Sequence, residues 1–392
     1  MLPHQLAFIP DRDTEVFSAI SAAPAVFLLR SPDPQAEPYV SKTANLKRRL
    51  QRLLGKPSEQ SRKLNLRDRV RYIDYQPTGS DFESGFFLYR TLRAIFPKAY
   101  AHRLRLRFAP LIKLHLDNPY PRASITARLG RLNGRNVYYG PFASRAAAEK
   151  FANDSLDFFK MRRCVDDLNP DPKFPGCIYS EMKMCLAPCF KGCTDDEYNA
   201  EVSRVQGYFG SRGESLVKEI STQRDAASAN LDFENAAALH VRLEKLRPVL
   251  SPLPEIVRRV DALAGLIIQR SAVPESVNLF RVDAGFISGP MVFPIQPAEH
   301  ARSQSMEARV AEAIAAIPRS DSTTVMATME HLALLRRWYY RSSRAGEIFF
   351  ADDKGYLPFR RIVRGISRVY RGEKLEHDLK CTDPSQLEGR SG

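Results

Sequence analysis

Four of the six cysteines fall within one short stretch. Cys164, Cys177, Cys185 and Cys189 are separated by twelve, seven and three residues, whereas Cys193 and Cys381 stand outside this spacing. Clustered soft thiolates suit an iron–sulfur cluster or zinc better than separate packing roles. The spacing therefore predicts a sulfur-ligated metal in the middle of the chain, and cysteine chemistry alone leaves iron–sulfur and zinc open.

A second set of residues could act on phosphate. Tyr39, Lys42 and Arg49 lie on a predicted strand and the helix that follows it. Hydrolysis of a phosphodiester needs a base for water, a carboxylate for a divalent ion and a cation for the developing negative charge. A tyrosine-bearing hairpin, a basic helix and an acidic helix can supply these groups.

Two stretches carry a family resemblance. Residues 24–30 (PAVFLLR) and 39–49 (YVSKTANLKRR) resemble the GIY-YIG nuclease domain, and more narrowly the N-terminal domain of the UvrC family. The resemblance places Tyr39, Lys42 and Arg49 on family positions and implies that Arg49 stabilises charge on the phosphate.

The same alignment shows two departures. The family's nucleophile-activating tyrosine falls on Phe27, which has no hydroxyl, and its metal-binding glutamate falls on Leu88. Glu83 lies five residues earlier, about 140° around the helix, and cannot take over that position. We expect an impaired GIY-YIG endonuclease site that needs Mg²⁺ or Mn²⁺ only if it is active. The alternatives are an active single-incision endonuclease and a non-catalytic adaptor that binds a partner.

The resemblance continues through the cysteines. Residues 138–142 (YYGPF), 159–164 (FKMRRC) and 185–189 (CLAPC) match UvrC-like proteins. Their four cysteines imply a [4Fe–4S] cluster at Cys164, Cys177, Cys185 and Cys189. The cluster would hold a loop that presents Arg162 and Arg163.

A helical hairpin follows. Residues 231–243 resemble the UVR motif, which implies docking to a UvrB-like protein, although an ordinary bundle helix has a similar composition. The residues predicted to bind the partner are Phe233, Glu234, Ala237, Leu239 and Leu243.

Charge points to DNA as the second partner. The net charge is +14, and the basic residues are clustered. Alternation over 102–108 predicts a half-buried strand with one basic face. The predicted DNA contacts are Lys47, Arg48, Arg52, Arg103, Arg105, Arg107, Arg162 and Arg163. We expect a cytoplasmic protein with no membrane partner, since no signal sequence or long apolar run is present.

The element pattern predicts an α+β multidomain chain. The expected units are a GIY-YIG α/β domain (1–104), a connecting region with the cysteine segment (105–195), a helical region with the UVR hairpin (196–252) and a small α+β C-terminal region (253–392). Full-length UvrC proteins continue into an RNase H-like nuclease, for which we expect no room here. The basic aromatic run 336–340 fits either a single-strand contact or a half-buried helix.

Overall fold

The computed structural model describes residues 2–56, 64–132, 134–296, 303–318, 324–373 and 375. Every strand pairing in this part of the chain is antiparallel, and three four-stranded sheets result. The mixture of antiparallel sheets and helices confirms the α+β class. None of the described helices has the length and apolar character needed to cross a membrane.

The first sheet carries the segments that resemble the nuclease. Its strands run in the order β1-β4-β2-β3. Asn45 caps α2 by accepting a hydrogen bond from the Arg48 amide, and Ser80 caps α3 in the same way from Glu83, as the sequence predicts. The elements are β1 (His4–Ala7), α1 (Asp13–Ala19), β2 (Ala25–Arg30), β3 (Tyr39–Thr43), α2 (Leu46–Leu54), β4 (Tyr72–Pro77) and α3 (Asp81–Ile95).

The strand predicted over 102–108 is wrong. The chain forms a short helix, α4 (Tyr100–Arg103), then turns at Arg105, whose φ of 49° lies in the left-handed region. The alternation reflects a turn that leaves Arg103, Arg105 and Arg107 exposed while Leu104 is buried. The elements that follow are β5 (Leu111–Leu114), β6 (Ala123–Thr126), β7 (Val137–Gly140) and α5 (Arg145–Leu156).

The cysteine segment contains little regular structure. Between α5 and the next long helix it has α6 (Ile178–Glu181) and one short 3₁₀ turn. Three longer helices follow, namely α7 (Asp195–Gly210), α8 (Glu214–Ala229) and α9 (Phe233–Leu250). The last of these continues past Pro248, where the sequence predicts its end, so proline lies in the final turn.

The C-terminal sheet has the order β11-β10-β9-β12, and helices cover it. Strand β8 (Arg258–Arg259) instead pairs with β7 of the middle sheet, which crosses the boundary expected near residue 253. The remaining elements are β9 (Gly265–Arg270), β10 (Ser276–Asp283), β11 (Phe286–Pro294), α10 (Met306–Ala316), α11 (Val325–Tyr339), β12 (Glu347–Phe350) and α12 (Phe359–Arg371).

Helix α3 joins the N-terminal sheet to the C-terminal unit. The Phe82 ring lies 5.0 Å from Phe280 and 4.9 Å from Trp338. Farther along the helix, the Tyr89 hydroxyl donates a 2.6 Å hydrogen bond to the buried carboxylate of Glu330. The helix that resembles the family's metal-binding helix is therefore held between two units, with one face inside the core.

Candidate functional site

Tyr39 and Arg49 are joined by a hydrogen bond. The Arg49 Nη2 atom donates a 2.7 Å hydrogen bond to the Tyr39 hydroxyl, because the start of β3 lies beside the second turn of α2. The buried Nε atom of Arg49 has no hydrogen-bond partner among the described residues, and the guanidinium forms no ion pair with a described acid. One cation with unused hydrogen-bonding capacity therefore remains in this part of the site.

Phe27 fills the position of the expected nucleophile-activating group. It lies in β2 opposite Ser41, is fully buried, and its ring centre is 6.0 Å from that of Tyr39. A phenyl ring can pack there but cannot accept a proton from water or donate one. This position contributes packing and no acid–base chemistry.

Leu88 occupies the expected metal-ligand position. Its side chain lines a cavity of about 240 Å³ together with Lys42, Asp81, Arg337 and Arg341. A divalent ion requires oxygen ligands, and leucine supplies none. Asp81 is the single acid among the residues that line this cavity.

Two cations neutralise Asp81. Its Oδ1 atom accepts a hydrogen bond from Lys42, and its Oδ2 atom accepts one from Arg341, which lies just beyond α11. Burial by itself would raise the pKa of Asp81, but the hydrogen bonds and charges of Lys42 and Arg341 outweigh it and lower that pKa. The carboxylate is thus already compensated without a metal ion.

Glu83 turns away from this cavity. Its Oε2 atom accepts a 2.7 Å hydrogen bond from the Gly79 amide at the start of α3, and the side chain is buried. Burial raises the pKa of Glu83 to about 7, partly offset by the hydrogen bonds from Gly79 and Asn278. Glu83 thus holds the backbone just before α3 in place, and its carboxyl group is not among the residues that line the cavity at Leu88.

The predicted DNA contacts differ in exposure. Arg48, Arg52, Arg103, Arg105 and Arg107 are exposed, while Lys47 is half-buried on α2. Arg103 is partly committed, since it pairs with Glu37 and its guanidinium carbon lies 3.9 Å from the centre of the Phe96 ring.

Arg162 is not on the surface. It is 1% exposed, and its Nε and Nη1 atoms donate to the carbonyl oxygens of Tyr120 and Asp166 at 2.8 and 2.7 Å. Because the side chain is enclosed, it cannot reach a DNA backbone in this conformation, which corrects the predicted surface role. Arg163 is also mostly covered and pairs with Asp157 at 2.8 Å.

The four clustered thiols are half-buried in the loop-rich segment. Burial raises the pKa of Cys185 to about 11, and the nearby thiols of Cys164, Cys189 and Cys177 add to this effect. As placed, no three His, Cys, Asp or Glu side chains in the described ranges form a group that could hold a metal ion.

The surroundings of the thiols nevertheless suit a sulfur-ligated group. Arg162 Nη1 lies 3.4 Å from the sulfur of Cys164, and the Ala187 amide donates to the sulfur of Cys185 at 3.3 Å. Hydrogen-bond donors aimed at two of the sulfurs, and a buried cation beside Cys164, are surroundings that stabilise thiolates.

The residues of the helical hairpin that are predicted to bind a partner differ in exposure. Phe233 is 64% exposed at the start of α9, and Glu234 and Ala237 are also exposed. Leu239 is half-buried, and Leu243 is buried in the chain's own core. Leu243 therefore stabilises the hairpin and is not available to a partner, which corrects its assignment.

Sequence reasoning missed the contribution of the C-terminal region to the site. Arg337 and Arg341 line the cavity at Leu88, although they lie more than 240 residues from it along the chain. The basic run 336–340 was the available signal. Its aromatic residues do not form an open stacking surface: Trp338 is buried and bonded to the Ala345 carbonyl, and the Tyr340 hydroxyl donates to Pro141.

Comparisons with known proteins agree with the two central segments. Residues 109–207 match the family described as "UvrC/Cho excinuclease, middle domain", and residues 214–247 match the "UvrB/uvrC motif". The chain is UvrC-like through its middle domain and UVR motif.

Curated relatives extend the match. A UvrABC system protein C from Rickettsia africae is 25% identical over 272 residues, which is 69% of this chain and 42% of the relative. Proteins of the same name from Idiomarina loihiensis and Rickettsia bellii are 26% and 27% identical and cover 53% and 58% of this chain and 34% and 35% of the relatives. The chain spans about two fifths or less of these relatives, and no solved structure matches it.

Proposed function

We propose that this chain is a DNA-repair protein of the nucleotide-excision type that binds DNA and a UvrB-like partner and does not cleave efficiently. The observation that carries the proposal is the environment of Asp81. It is the single acid among the described residues that line the cavity at Leu88, and Lys42 and Arg341 already neutralise it.

The remaining residues favour binding over hydrolysis. Arg49 and Lys42 can stabilise phosphate charge, but Phe27 supplies no proton-transfer group and Leu88 supplies no metal ligand. A phosphodiester placed here would meet cations without an activated water. The site therefore has cations that can stabilise phosphate charge, but it lacks the proton-transfer group and the metal ligand that hydrolysis requires.

The two other assignments belong to the same proposal. Cys164, Cys177, Cys185 and Cys189 would hold an iron–sulfur cluster, with zinc as the alternative, which would link the loops of the middle domain and leave the hydrolytic site unaffected. Phe233, Glu234 and Ala237 would form the exposed contact for a UvrB-like protein.

Binding measured without divalent ions tests this function. Fluorescence anisotropy of a labelled duplex in EDTA should show salt-sensitive binding, and a UvrB-like protein should bind the same complex. Phe233→Ala should reduce the affinity for the partner at least about tenfold and leave DNA binding unchanged. Absence of duplex binding even at low salt would contradict the proposal.

A second candidate is an active single-incision endonuclease. The hydrogen bond between Arg49 and Tyr39 favours it, but within the described residues Arg49 forms no ion pair with a carboxylate to 4.0 Å. The non-cleaving function fits this arrangement better.

A further inference from the structure

We propose that DNA is held by a phosphate-binding crevice formed between the loop 103–107 and the C-terminal end of α11. The crevice has a volume of about 350 Å³ and is lined by four arginines: Arg105, Arg107, Arg336 and Arg337. This inference rests on the proposed function, DNA binding, and assigns the surface that performs it.

The charge of the crevice is uncompensated. Among the described residues that line it, none is acidic, and neither Arg105 nor Arg107 forms an ion pair with a described acid. Like charges gathered without a counter-ion destabilise a fold unless a ligand supplies the opposite charge. Arginines that line one crevice are suited to phosphate, because its oxygens accept the paired N–H donors of a guanidinium group.

Hydrogen bonds from Arg336 and Arg337 to backbone carbonyl groups position the C-terminal end of α11, which forms one wall of the crevice. Arg336 Nε donates to the carbonyl oxygens of Phe142 and Ala143 at 3.1 and 2.9 Å, and Arg337 Nη1 lies 3.4 Å from that of Leu104. The Arg336 contacts hold the end of α11 against residues 142–143, and the Arg337 contact holds it against the loop 103–107. Arg105, Arg107 and Arg337 are exposed, and Arg105 and Arg107 form no ion pair with a described acid.

The crevice continues into the remnant site. Arg105 and Arg337 also line the cavity that contains Lys42, Asp81 and Leu88. A sugar–phosphate backbone could therefore run from that cavity to the end of α11 along one basic path. Since Trp338 and Tyr340 are engaged in internal hydrogen bonds, the path offers phosphate contacts without base stacking, and binding should not depend on sequence.

The test compares two variants that lose the same charge. Arg105→Gln/Arg107→Gln removes two crevice cations, and Lys218→Gln/Lys245→Gln removes two exposed cations from the helical hairpin. Anisotropy titrations with two labelled duplexes of unrelated sequence, in EDTA and across a KCl series, measure affinity and its salt dependence. Thermal unfolding of each variant verifies that it folds.

The crevice variant should weaken binding to both duplexes equally and lower the slope of log K against log salt by about 2, which is roughly one unit per lost phosphate contact. The ratio of the wild-type association constant to that of the crevice variant should then fall about tenfold between 50 and 200 mM salt. The hairpin control should change the slope far less.

Equal losses of affinity and of salt dependence in the two variants would contradict the assignment of DNA binding to the crevice. DNA binding would then depend on net charge or on another surface. A loss confined to one duplex would also contradict this assignment, because a phosphate contact does not read sequence. Failure of the wild-type protein to bind either duplex would instead reject the proposed function itself.

Discussion

Asp81 and Glu83 lie two residues apart in the first turn of α3, yet their carboxyl groups have pKa values shifted in opposite directions. Asp81 faces the basic cavity, where two cations stabilise its charge. Glu83 faces the core, where burial favours the neutral form. The N-terminal turn of one helix thus contributes one group to the site and one to the fold.

Glu83 should make the fold less stable as pH rises. Because its pKa is raised from an ordinary value of 4.5 to about 7, its favourable contribution is complete below the ordinary value and is lost as pH rises through about 7. We expect Glu83→Gln to stabilise the protein by about 1–3 kcal/mol at pH 8 and to have little effect near pH 4.5. Urea denaturation at both pH values measures the difference, and a larger gain at the lower pH would contradict this assignment.

Asp81 should show the opposite dependence. Its pKa is lowered, so its contribution is present above the ordinary value of 3.8 and is lost as pH falls through the folded-state value. Removing one partner with Arg341→Ala should cost no more than about 1 kcal/mol at pH 7, since both groups are largely exposed. The difference should shrink in acid, and Arg341→Lys should recover part of it. A cost that is independent of pH would show that Arg341 acts through packing.

The clustered thiols should hold iron. Anaerobically purified wild-type protein should contain iron and labile sulfide and absorb in the visible range, whereas Cys164→Ser and Cys185→Ser should lose most of both. Cys193→Ser is the matched control, because this thiol lies in the same segment but outside the four-cysteine spacing. Zinc in place of iron would select the alternative metal, and equal iron in all variants would contradict the ligand assignment.

Substitutions on the exposed and the buried face of the hairpin should have different effects: the former should weaken partner binding and the latter should destabilise the fold. Phe233→Ala should reduce affinity for a UvrB-like protein at least about tenfold, because exposed aromatic anchors dominate such interfaces. Its free energy of unfolding should change by less than about 0.5 kcal/mol. Leu246→Ala, at a fully buried position, should instead cost about 2–5 kcal/mol of unfolding free energy. Calorimetry and chemical denaturation measure the two effects.

Local patterns were sufficient to predict most elements. Asn45 and Ser80, which are residue types favoured at the N-cap position, cap α2 and α3. The prediction failed where an alternation of polar and apolar residues has more than one structural cause. Over 102–108 a turn with a buried Leu104 produces the same pattern as a strand, and only the tertiary contacts distinguish them.

Contacts between residues that are far apart in the chain could not be predicted from the sequence. Nothing near Asp81 indicates that Arg341 neutralises it, because the two residues meet only when α3 packs against the C-terminal unit. Arg162 likewise resembled a surface cation, but its buried guanidinium donates to three acceptors, namely the Tyr120 carbonyl, the Cys164 sulfur and the Asp166 carbonyl. The candidate site depends on both kinds of contact.

Strand cleavage tests the central claim most directly. Wild-type protein and Arg49→Ala should be incubated with nicked and damaged duplexes in Mg²⁺ or Mn²⁺, and incision should be quantified on denaturing gels. We predict that both proteins cut at the same background level although the wild type binds the duplex. Robust metal-dependent incision by the wild type that Arg49→Ala abolishes would contradict the account.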